Sequence, residues 1–94
     1  MADKQAFLYL ANGEIVPVLP SNGISFTLGE LKKFVKGFIQ MIYLSDNRVM
    51  IINEEGKFSD CKHNDFATTL AKDVLIPGDF IVGDALITPI QFVN

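Results

Sequence analysis

Arg48-Val49-Met50-Ile51-Ile52-Asn53-Glu54-Glu55-Gly56-Lys57 is the stretch that decides how the rest of the chain is arranged. Val49 to Ile52 is a short apolar run rich in β-branched residues. It is too short to repay helix nucleation and well suited to a strand covered on both faces. Asn53 to Gly56 then forms a polar turn. Asn53 can bond to nearby backbone. Gly56 is the expected pivot, because it tolerates a positive φ. The turn has two readings: Asn53, Glu54 and Glu55 only shape and solvate it, or they form a polar patch that meets a ligand or partner.

Upstream, Phe38 to Leu44 leaves only Gln40 polar and reads as a second buried strand. Ser45-Asp46-Asn47 closes a hairpin, so the two apolar strands are expected to pair antiparallel in the middle of the sheet. Before them lies a helix over 28–36. Thr27 is its N-cap, Glu30 stands at the capping-box spacing, and Phe26 and Leu31 stand at the positions of a hydrophobic staple. Leu28, Leu31, Phe34 and Val35 give the apolar face, Lys32, Lys33 and Lys36 point away, and Gly37 is the expected stop. Earlier still, Ala6 to Leu10 and Glu14 to Leu19 flank Asn12-Gly13, a strong hairpin signal. Pro17 puts the second of these strands at an edge or a bulge.

Downstream, Lys57 to His63 has no usable period and reads as loop. Asn64 caps a second helix, Asp65 to Lys72, with Phe66, Leu70 and Ala67 expected to face inward. Ile76-Pro77-Gly78 is a turn. Asp79 to Thr88 reads as the last strand, interrupted at Gly83-Asp84 and limited by Pro89. The tail, Ile90 to Asn94, is apolar enough to dock, with a partner subunit as one destination. The sum is an α+β domain: a mainly antiparallel sheet of about five strands with two short helices.

Composition bounds the partners. The chain has 94 residues, is 49% hydrophobic with eight Phe and no Trp, and carries a net charge of −3. So small a domain leaves much of its surface outside, which points to self-association or to another protein as partner. An acidic balance lacks the basic footprint of a nucleic-acid binder. The single cysteine, Cys61, fits a reducing compartment. No signal-peptide pattern and no run of ~20 apolar residues occurs, so a cytoplasmic protein with no membrane partner is expected.

Residues able to do chemistry are few. Cys61 and His63 are neighbours in a loop without an orienting third group, and two soft ligands fall short of a structural zinc site. Nothing in the spacing of Glu54, Glu55, Asp60, Asp65, Asp79 and Asp84 forces two carboxylates together. No phosphate-binding glycine loop, zinc-helix motif or nucleophile elbow is present. No catalytic residue, metal or cofactor is assigned, and the reading leans away from an enzyme.

Four blocks resemble domain-of-unknown-function family 3846, small proteins of bacteria, plasmids and phages. They are Leu31 with Val35-Lys36-Gly37-Phe38-Ile39-Gln40, then Asn53-Glu54-Glu55-Gly56-Lys57, then Asn64-Asp65-Phe66-Ala67-Thr68, and Ile81-Val82-Gly83-Asp84-Ala85-Leu86. The resemblance covers residues 28–88. Lys36 stands where the family pattern suggests a second glycine, and residues 58–62 are more polar than expected. The resemblance implies no catalytic residues and suggests an accessory protein of a mobile element or bacterial genome.

Asn53, Asn64 and Gly83-Asp84 all stand at element ends, where side chains can converge. The candidate contact residues are therefore Asn53, Glu54, Glu55, Asn64 and Asp84. The leading expectation is a non-enzymatic interaction protein. The alternatives are a binder of small, nucleotide-like ligands at an oligomer interface and a carboxylate–metal hydrolase.

Overall fold

The computed structural model describes residues 5–58 and 61–93. Residues 1–4, the Ser59-Asp60 part of the expected loop and Asn94 of the tail lie outside them. Seven elements follow in order: β1 (Ala6–Tyr9), β2 (Ile15–Val18), α1 (Leu28–Val35), β3 (Ile39–Tyr43), β4 (Arg48–Asn53), α2 (Asp65–Leu70) and β5 (Ala85–Pro89). Short 3-10 turns occupy Gly56–Phe58 and Ile90–Val93. The strands form one five-stranded sheet in the order β2-β1-β5-β4-β3, antiparallel throughout. The fold is α+β, as expected.

Both faces of the sheet are covered. On one face Ala6, Val49, Ile51 and Leu86 meet Leu31 and Val35 of α1 together with Phe26 and Phe92. On the other, Met50, Ala85 and Ile87 meet Ala67, Ala71 and Ile81. β4 and β5 therefore bury both sides, which is why their sequences run apolar instead of alternating. Full burial of a side chain such as Met50, Ile51, Leu86 or Ile87 contributes about 1.5–3 kcal/mol.

Local signals explain the elements they mark. Gly13 holds φ +98 in the β1–β2 turn, and Leu10 N–H donates to Glu14 O at 2.8 Å. The capping box of α1 is complete: Glu30 N–H donates to Thr27 Oγ1 at 3.1 Å and Thr27 N–H to Glu30 Oε1 at 2.9 Å. Glu30 also accepts from Ser21 N–H, so backbone donors at Thr27 and Ser21 hold its carboxyl below the usual carboxylate range.

The structure corrects several expectations. β3 pairs with β4 but lies at the edge of the sheet, while β5 takes the middle. The hairpin signal fixed the β3–β4 pair, whereas the long-range β4–β5 pairing set the order. The left-handed residue ending α1 is Lys36, at φ 64, not Gly37. Gly37 answers a need for space instead, since a Cβ there would stand 2.8 Å from Asn53 Nδ2. Gly56 likewise has no positive φ. It opens a 3-10 turn and is buried against Val82, whose Cγ2 would lie 3.0 Å from an added Cβ.

α2 ends at Leu70, and Phe66 is 52% exposed, because Ala67 and Ala71 take the inward positions. The last strand starts at Ala85, not Asp79. Before it the backbone is tied to the start of α2: Asn64 N–H donates to Ile81 O at 2.8 Å and Ile81 N–H to Thr68 Oγ1 at 2.9 Å. The tail docks on its own chain, with Phe92 buried edge-on to Phe26 and Phe26 N–H donating to Phe92 O at 2.7 Å.

Candidate functional site

The element ends picked out by sequence do converge, around Gly83-Asp84. Asn64 is 1% exposed. Its Nδ2 donates to Tyr9 O at 2.9 Å and Gly83 O at 2.8 Å, while its Oδ1 accepts from Ala67 N–H at 3.0 Å. One side chain thus ties β1, the 83–84 segment and the first turn of α2. Asp84 accepts from Ala11 N–H at 2.9 Å and from Lys36 Nζ at 3.2 Å. Asn53 donates to Val35 O at 3.0 Å and Lys36 O at 3.3 Å, supplying partners to carbonyls at the C-terminus of α1. Its Oδ1 accepts from Glu55 N–H at 2.8 Å, closing the turn predicted there.

Asn53 and Asp84 line one cleft of about 310 Å³ with Lys36, Cys61 and Gly83. Asn64 lies apart from this cleft and is fully enclosed. Glu54 opens onto a different groove, which Asn53 also borders, and exposed Glu55 sits on the turn itself. The five candidates therefore do not form one site.

Cys61 and His63 are oriented differently. Cys61 Sγ lies 3.4 Å from where a Cβ on Gly83 would stand. His63 Nδ1 is 2.7 Å from Asp65 Oδ1, and its ring stacks on Phe80 with centroids 5.1 Å apart. Lys57 Nζ lies 4.5 Å from the Phe80 ring centroid and is paired with Asp79. That hydrogen bond, with the Phe80 N–H bond behind it, holds the Asp79 carboxyl below its ordinary range. Among the described residues, no group of three His, Cys, Asp or Glu is placed to hold a metal ion. No helix there is long and apolar enough to cross a membrane.

Two further surfaces were not singled out by sequence. A groove of about 400 Å³ runs between Ile42 and Ile52 of the sheet and Leu75, Ile76 and Phe80 of the following segment. Phe58, 92% exposed, also borders it. The second surface is the outer edge of β3. Glu54 N–H donates to Phe38 O, and Leu44 N–H to Arg48 O, at the two ends of the hairpin ladder. Antiparallel ladders alternate, so residues 38, 40, 42 and 44 turn their backbone groups toward β4. The N–H and C=O groups of Ile39, Met41 and Tyr43 consequently face outward. No charged side chain and no proline stands on β3.

Residues 7–91 match the family model described as Domain of unknown function (DUF3846). The chain belongs to that family. No curated protein and no solved structure matches it. The four family-like blocks meet in two pairs. Gly37 and Asn53 must fit each other, and Asn64 must reach Gly83. At Lys36 the structure accounts for the glycine expected there and not for the lysine, because this residue takes the left-handed conformation a glycine would adopt without a Cβ clash.

The β3 edge was hidden in the sequence because an uncharged apolar run is the common signature of a central strand and of an unprotected edge strand. The lack of any Lys or Pro gatekeeper was the usable signal.

Proposed function

We propose that this chain is a non-enzymatic interaction protein, an accessory component of bacterial or mobile-element origin working in the cytoplasm, that accepts an extended protein segment along β3. The observation that carries this reading is the outward-facing backbone of Ile39, Met41 and Tyr43 on a strand free of charge and proline. An added strand gains affinity from main-chain hydrogen bonds and selectivity from alternate side chains. Tyr43 at the end of β3 and Phe38 just before it, each 60% exposed, offer apolar surface for those side chains, with Lys32 Nζ 4.9 Å from the Phe38 ring centroid. The groove beside Ile42 lies on the α2 side of the same strand.

The test is a titration of isotope-labelled protein with a synthetic peptide reproducing residues 38–44, flanked by lysines for solubility. Shifts centred on the amides of Ile39, Met41 and Tyr43 are expected. Shifts confined to the 53–56 turn, or none, would remove the reading.

A second reading, a binder of small ligands, has one observation behind it: Lys36, Asn53 and Asp84 border a single cleft. Native mass spectrometry of the purified protein tests it, since a retained small mass lost in Asp84→Asn would favour this cleft over β3.

A further inference from the structure

We infer that the segment β3 accepts is the β3 of a second copy of this chain, an inference that rests on β3 being a strand-accepting edge. Two-fold pairing of a strand with itself requires that a residue and its symmetry mate tolerate the same place. Centring the axis on Met41 sets Met41 against Met41 of the partner and Ile39 against the partner's Tyr43. It also sets Gln40 against the partner's Ile42. All three outward-facing residues then fall in closely spaced positions, each pair exchanging two bonds, or about six interstrand hydrogen bonds in all.

The side chains agree with that register. Ile39, Met41 and Tyr43 share the α1 face, where the pairing gives an aromatic–β-branched contact at each end and thioethers at the centre. The strand Ile39-Gln40-Met41-Ile42-Tyr43 is uncharged, so the two-fold axis brings no like charges opposite each other. Continuing the register, exposed Phe38 of one copy approaches Leu44 of the other. The opposite edge lacks this self-complementarity, since β2 carries Pro17, which has no N–H to give. The product is a continuous sheet of about ten strands, within the range open sheets reach.

The charge balance separates this occupant from a basic partner. Each copy carries −3, so association of two copies is opposed by long-range repulsion and strengthens as salt screens it. A basic peptide would be bound more weakly under the same change.

The experiment is sedimentation velocity on the full chain from about 1 μM to about 1 mM, at low and high salt, with Met41→Pro beside the wild type. Met41 N–H faces outward, so proline there removes no bond to β4. The expected result is a wild-type shift to twice the monomer mass, stronger at high salt, and a Met41→Pro protein that stays monomeric with an unchanged far-ultraviolet spectrum.

A Cys61→Ser background supplies a readout that does not depend on the proline variant folding. Met41→Cys should oxidise to a covalent dimer, because closely spaced partners stand about 5.5 Å apart between Cα atoms, within disulfide reach. Tyr43→Cys alone should not, whereas Tyr43→Cys mixed with Ile39→Cys should.

A wild-type dimer with the reverse cross-linking pattern, or one retained by a folded Met41→Pro protein, overturns the inference. So does a monomer at every concentration. In that last case the peptide titration decides the broader reading: shifts at Ile39, Met41 and Tyr43 leave β3 as a site for another protein, and their absence removes both.

Discussion

The junction at Asn53, Asn64 and Asp84 and the edge of β3 carry opposite chemistry and opposite consequences. The junction gathers the polar side chains that stand out in the sequence, and each is bonded to backbone within the same chain. The edge is made mostly of unremarkable apolar residues, and its backbone groups at Ile39, Met41 and Tyr43 face away from β4. The difference teaches that a conspicuous polar residue at an element end is often what joins the elements. A surface able to bind can be recognised by what it lacks, here charge, proline and, among the described residues, a covering strand. Five substitutions, with Val82→Ala as a control, test whether the two regions are as different as this.

The largest effect should come from Asn64→Ala. It leaves Gly83 O and Ala67 N–H without the amide of Asn64 and takes a second donor from Tyr9 O, which keeps its place in the β1–β5 ladder, at a position 1% exposed. Buried unsatisfied groups cost about 1–3 kcal/mol each, so the loss should be about 2–6 kcal/mol by chemical denaturation. A loss under about 1 kcal/mol would break the comparison at its firmest point.

Gly56→Val should follow, at about 1–3 kcal/mol, through overpacking against Val82. A left-handed turn would make the same substitution costly for another reason. Val82→Ala separates the two: it should relieve the cost of Gly56→Val if crowding is the cause, and leave it unchanged if backbone strain is.

Lys36→Gly should raise stability by up to about 1 kcal/mol, since it removes the Cβ penalty at φ 64. The exposed end of its ion pair with Asp84 offsets little of that gain. A lower denaturation midpoint would mean that the lysine side chain matters more to the junction than its backbone does.

Smallest of all are Glu54→Gln and Glu55→Gln, expected within about 0.5 kcal/mol of the wild type. Both should leave self-association in sedimentation unchanged. Either one abolishing association while melting normally would move the binding surface from β3 to the turn.

Where a few adjacent residues decide the outcome, the sequence was readable. Asn12-Gly13, Thr27 with Glu30, and Asn64 each mark an element boundary through a local hydrogen bond or a permitted φ. The double burial of β4 was also visible, because four apolar residues in a row have no solvent side to offer. What could not be read is what depends on distant pairing. Nothing near Phe38 says whether a further strand or solvent lies on the side of β3 away from β4. Phe80 to Val82 look like strand until Asn64 and Thr68 take their backbone bonds. Phe66 has the period of an inward residue, but the small side chains of Ala67 and Ala71 allow a closer approach to the sheet and turn it outward. The convergence of Asn53, Asn64 and Asp84 could be anticipated from their places at element ends, but their separate roles could not. Those roles depend on which carbonyls the fold brings within reach.

Residue-resolved amide exchange at two protein concentrations tests the contrast between junction and edge most directly. Outward-facing edge amides exchange freely unless a strand covers them, whereas amides inside the fold open only with the structure around them. Raising the concentration from about 1 μM to about 1 mM should slow the amides of Ile39, Met41 and Tyr43 about tenfold or more, and leave those of Asn64 and Ala67 where they were. Exchange at the three β3 amides that is fast at both concentrations, with new protection at Asn53 to Glu55 instead, would contradict it.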